Sequence, residues 1–99
     1  TKSQLQAQKS AVTTNMALKI DQQNLAIQKL NDQLESDQQI VYLRSQITGE
    51  TLAALRAGTA RESDYVSDLN NEYQARLEME KHRLQLQQAK VLKVIISGL

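Results

Sequence analysis

Apolar residues in the first half of the chain recur at Val12, Met16, Ile20, Ile27, Leu30, Leu34 and Val41, mostly in steps of three, four or seven. Such steps collect side chains on one side of a helix, so the pattern predicts a helix with an apolar stripe. Leu18 and Leu25 form a second stripe that widens the apolar face beyond a two-stranded seam. After Val41 the frame moves to Ile40, Leu43 and Ile47, then to Leu52 and Leu55, a stutter that changes local supercoiling. Together these stripes predict one helix over about residues 3–57, roughly 80 Å long at 1.5 Å per residue.

The stop is local and sharp. Arg56 places a cation in the last turn, and Gly58 tolerates the positive φ that ends many helices. Thr59-Ala60-Arg61-Glu62 then reads as a capping box, with the Thr59 hydroxyl accepting from the Glu62 N–H and Glu62 reaching back. Glu62 and Asp64 add negative charge where the helix dipole favours it. The turn is therefore expected at residues 58–59 and a second helix over about 60–97, stopping at Ser97-Gly98. Gly49 is the competing turn, but Ile47, Leu52 and Leu55 keep helical spacing across it, so it is read as a mid-helix Gly.

In the second helix Val66, Leu69, Tyr73, Leu77, Leu84, Val91 and Ile95 share a face. Folding about residues 58–61 opposes Leu55 to Tyr65, Leu52 to Leu69, Ile47 to Tyr73, Leu43 to Leu77, Leu34 to Leu86 and Ile27 to Leu92. Every pair is apolar, so local and global patterns agree. The fold class is all-α, a long antiparallel helical hairpin of coiled-coil type with the first helix longer, in a single unit over residues 1–99. Roughly the first twenty residues find no partner within it, and an isolated helix is marginal in water.

Composition supports long thin helices over a compact core. Aromatics make up 3% of the 99 residues, with no Phe or Trp, whereas a globular core of this size normally draws on aromatic volume. Pro is absent, and abundant Gln joins Ala, Leu, Glu, Lys and Arg as helix formers. The net charge of +1 comes from interspersed signs, which argues against a nucleic-acid or anionic-membrane patch. Without Cys there are no disulfides or thiolate metal sites. The longest apolar run, Val94-Ile95-Ile96, falls far short of the ~20 residues of a membrane span. The chain opens on Thr1 rather than Met and shows no leader pattern, which suggests a piece of a longer protein.

Candidate chemistry is sparse. His82 is the only His; with Glu78 at i−4 as its one plausible co-ligand, it reads as a solvated surface residue. Glu78, Glu80, Lys81 and Arg83 read as a solvated face with i,i+3 and i,i+4 pairing. No nucleophile–His arrangement or Gly-rich phosphate loop is present, so catalytic, cofactor and metal sites are all expected to be absent. At the turn, capping accounts for Gly58, Thr59 and Glu62 but leaves Arg61, Asp64 and Tyr65 without a role, and these three suit a charged ring or docking surface.

From about Leu34 to Gly98 the chain resembles the C-terminal part of the TolC family of outer-membrane efflux proteins, closest to its Bacteroides-type branch. The resemblance rests on Gly58-Thr59, Asp64-Tyr65, Leu69-Asn70, Ala75, His82, Gln85-Leu86, Ala89 and Gly98 in that order. It implies a homotrimeric duct, with a β-barrel in the outer membrane and this hairpin in the periplasmic α-barrel. It also implies a periplasmic adaptor protein and an inner-membrane transporter as partners. No nucleic acid is involved, and membrane contact runs only through β segments outside this stretch. Ala57-Gly58-Thr59 occupies the place of the family's adaptor-docking tip, with Ala57 for the usual Val. Asp64 matches an Asp of the entrance constriction; Arg61, one residue after the family's Arg, and Tyr65 are expected beside it. Leu55, Ala60 and Ser67 depart from the Tyr, Arg and Asp of the best-known gate. The competing readings are the coiled-coil hairpin of an adaptor, whose Arg-Leu-Ser tip is missing here, and a generic scaffold coiled coil.

Overall fold

In the computed structural model, which describes residues 2–98, the chain forms two helices, α1 (Lys2–Arg56) and α2 (Glu62–Gly98). They lie antiparallel in a rod of 84 × 15 × 14 Å. The expected hairpin, with its first helix the longer, is present, and among the described residues there is no strand. Gly49 lies inside α1.

A heptad seam joins the helices. On α1 the partly or fully buried positions include Met16, Ile20, Gln23, Ile27, Leu30, Leu34, Asp37 and Val41, alternating in steps of four and three, and continue through Thr48 to Leu55. On α2 every residue that is not exposed belongs to one series: Tyr65, Asp68, Glu72, Ala75, Met79, His82, Leu86, Ala89, Lys93 and Ile96. Steps of three and four keep one face turned to the partner along the full length, as in a left-handed coiled coil. The helix-to-helix contacts of Asp37 with His82 and of Thr51 with Asp68 agree with a fold about the Gly58 turn.

The face that α2 turns inward is not the expected one. Val66, Leu69, Tyr73, Leu77, Leu84, Val91 and Ile95 are all exposed. Of the anticipated pairs, Leu55–Tyr65 and Leu34–Leu86 lie in the seam, whereas Ile47–Tyr73 and Leu43–Leu77 are exposed on both sides. Leu52 and Ile27 face the seam, but their expected partners Leu69 and Leu92 do not. The physical reason is that α2 carries two stripes. The less apolar one, which includes Asp68, Glu72, His82 and Lys93, has the heptad spacing that fits α1, and the more apolar one is left outside.

The turn also differs in detail. Residues 57–61 connect the helices, and α2 begins at Glu62 rather than near residue 60. Gly58, with φ 77°, takes the left-handed position of a Schellman motif. The Thr59 N–H donates to the Ala54 carbonyl at 2.9 Å, and the Gly58 N–H donates to that of Leu55 at 3.1 Å. The Thr59 hydroxyl points back and donates to the Ala54 carbonyl at 3.1 Å, so it closes α1 instead of capping α2. The capping box expected at Thr59 and Glu62 is not formed. Arg61 is the N-cap residue: its carbonyl accepts from the Tyr65 N–H at 3.3 Å, and the Asp64 carboxylate accepts from the Arg61 N–H at 3.2 Å.

Candidate functional site

Three places concentrate polar chemistry: the tip, a cluster just below it in the seam, and a pair halfway along the seam. At the tip Ala57, Gly58 and Thr59 are exposed, and a Cβ added at Gly58 would meet nothing within 4 Å. The tip is thus a small convex knob of backbone and short side chains, with Arg56 and Arg61 exposed beside it. Arg61, Asp64 and Tyr65, grouped by the sequence, have separate fates. Asp64 spends a carboxylate oxygen on the cap, Tyr65 is half-buried at the first seam layer, and the Arg61 side chain is exposed. Capping therefore accounts for more of this group than the sequence indicated.

One turn below that layer the seam becomes polar. Thr51 Oγ1 donates to Asp68 Oδ2 at 2.5 Å, and Thr48, which is buried, has its Oγ1 3.3 Å from the Asp68 carbonyl. Farther down, His82 Nδ1 donates to Asp37 Oδ2 at 2.5 Å, with side chains only 16% and 10% exposed. Glu78 Oε1 lies 3.5 Å from His82 Nε2. His82 is thus a seam residue bonded across the hairpin, which corrects its reading as a solvated surface group. The groove beside the pair, lined by Leu25, Lys29, Asp32 and Ser36 among others, is an open trough. No group of three or more His, Cys, Asp or Glu among the described residues could hold a metal ion. Arg83–Glu80 at 2.5 Å is an exposed i,i+3 pair, and exposed Arg76 reaches the seam residue Glu72 at 2.9 Å as an i,i+4 pair.

The largest feature is apolar. Besides the outer stripe of α2, the outer side of α1 exposes Leu5, Val12, Leu18, Leu25, Ile40, Leu43 and Ile47. Each helix therefore has apolar residues both toward its partner and away from it. Among the described residues no helix is long and apolar enough to cross a membrane. Comparison with protein-family models, with curated proteins and with solved structures gave no match to this chain.

Proposed function

We propose that this hairpin is a stave in the wall of a helical duct, the periplasmic α-barrel of a trimeric outer-membrane efflux protein of the TolC type. The observation that carries the proposal is the double-sided character of both helices. A free-standing two-stranded coiled coil needs one apolar seam per helix. A helix in a closed wall needs apolar residues on each side; α2 has them along its length, and α1 has them above and below a polar break at residues 32–39. The order of motifs from Gly58 to Gly98 that resembles the family supports the same reading. A generic scaffold coiled coil, or the hairpin of an adaptor, needs only the inner seam to fold.

On this reading the hairpin performs no chemistry. It lines a passive exit, an inner-membrane transporter supplies the energy, and a periplasmic adaptor engages the exposed Ala57-Gly58-Thr59 knob. Arg61 stands at the entrance, available for ion pairs that hold neighbouring tips together. The duct opens when the tips move outward. A charged, bulky side chain at Gly58 would combine a strained φ with loss of the smooth knob. The full-length protein carrying Gly58→Glu is expected to reach the membrane as a trimer yet lose most export. Export at the unmodified level by that variant would remove the tip from the mechanism.

A further inference from the structure

The outer face of α2 also fits a second copy of this chain, and the geometry points to an antiparallel one. The outer stripe runs from Val66 to Ile95, each large apolar residue at least 40% exposed. Turned end for end about a point between Glu80 and Lys81, the stripe sets three apolar pairs against each other, while Tyr73 and Val91 come level with Gln88 and Asn70. Val66 comes level with Ile95, Leu69 with Leu92, and Leu77 with Leu84. At the centre Glu80 comes level with Lys81 of the other copy. Two copies running the same way in register would set Glu80 against Glu80 and Lys81 against Lys81, an arrangement that like charge disfavours.

Charge over the whole rod selects the same direction. Up to Lys29 and from Gln88 onward the chain has six Lys and a single acid, Asp21; the stretch between holds ten acids against five Arg and one Lys. The open end of the hairpin is therefore basic and the tip half acidic, so a reversed copy lays basic end against acidic half. The outer stripe of α1 offers no equivalent surface, because Asp32, Glu35, Ser36 and Gln39 interrupt it. A stripe about 45 Å long and about 10 Å wide buries roughly 900 Å² over both copies, at the weak end of specific interfaces. The pairing is accordingly concentration-dependent and sensitive to salt. In a duct wall this face would belong to a neighbouring helix, so the antiparallel pair is the competing state of the hairpin on its own, and the inference stands without the duct.

The test uses the 99-residue chain. Sedimentation equilibrium is expected to show twice the monomer mass at high concentration, with the dissociation constant rising about tenfold from low to molar salt. Under mild oxidation, Leu77→Cys chains mixed with Leu84→Cys chains, and Val66→Cys with Ile95→Cys, should cross-link between the two variants more than within either. Spin labels at Ala57→Cys should lie about 55–60 Å apart across the pair, from a 1.5 Å rise per residue. A tip-to-tip distance under about 20 Å, near the spacing of packed neighbouring helices, would overturn the antiparallel arrangement. So would cross-linking of Leu77→Cys mainly with itself. A monomer at millimolar concentration in low salt would overturn the interface altogether.

Discussion

His82 and Asp37 occupy positions that a coiled coil usually fills with Leu, and they fill them with one hydrogen bond. Removing one partner leaves the other in a seam where water reaches it poorly, at about 1–3 kcal/mol. Asp37→Ala is therefore expected to lower hairpin stability by that amount in urea unfolding followed by helical circular dichroism. The double replacement of Asp37 and His82 by Leu is expected to match or exceed the parent, since apolar layers often outperform buried polar pairs. What it should lose is register: Thr51→Cys and Asp68→Cys, now adjacent across the hairpin, would cross-link less uniquely. If Asp37→Ala is as stable as the parent, the pair contributes nothing. The pair was hidden in the sequence because its members stand 45 residues apart and His82 is flanked by charges. Its one visible signal was spacing, three residues after Met79 and four before Leu86, on the heptad of the seam.

Helix ends show where local chemistry is legible and where it is ambiguous. The C-terminal stop of α1 was readable because only Gly readily adopts the left-handed conformation that Gly58 takes, and the structure places it there. The start of α2 was not readable, because two acids compete for the role. Thr59 with Glu62 has the form of a capping box, yet the Schellman turn commits the Thr59 N–H and hydroxyl to α1. The next acid, Asp64, then caps from three residues inside. This arrangement ranks three substitutions. Gly58→Ala forces a Cβ into a positive φ with no steric neighbour, so its cost is backbone strain alone, about 1 kcal/mol. Asp64→Ala removes the capping carboxylate at a similar cost of about 1 kcal/mol. Thr59→Ala loses a hydroxyl bond that duplicates a backbone one to the same carbonyl, and should cost less than either. Thermal unfolding checks the order, with each kcal/mol moving the midpoint by about 4–8 °C. Thr59→Ala as the most damaging of the three would restore the capping box and contradict the observed turn.

At the scale of the molecule, the missing quantity is a core. The only buried apolar residues among those described are Val41 and Leu86, and the accessible surface is 7585 Å². A compact chain of 11.2 kDa would expose about 5,700 Å². That excess belongs to a rod that leaves the outer apolar stripes of both helices exposed. It also explains why the sequence disclosed the hairpin but not its inner face: with one partner in view, the most apolar stripe of α2 is the natural choice for it, although that stripe lies exposed on the outside. The same geometry sets the stability of the long arm of α1. Residues 2–15 are exposed throughout, beyond the reach of α2, and the heptad positions that continue the seam there are Lys2, Gln6, Lys9 and Thr13. These side chains offer α2 nothing, and a free helix of that length is near the limit of stability in water. A chain lacking residues 2–15 is therefore expected to unfold within about 0.5 kcal/mol of the full one, as distant, unshared contacts permit. In the full chain, amide hydrogens of residues 2–15 should exchange far faster than those around Val41 and Leu86, the most buried layers. Slow exchange in the arm, or a clear loss of stability on its deletion, would mean that the arm already has a partner in the isolated chain, and the picture of an unfilled stave would have to be given up.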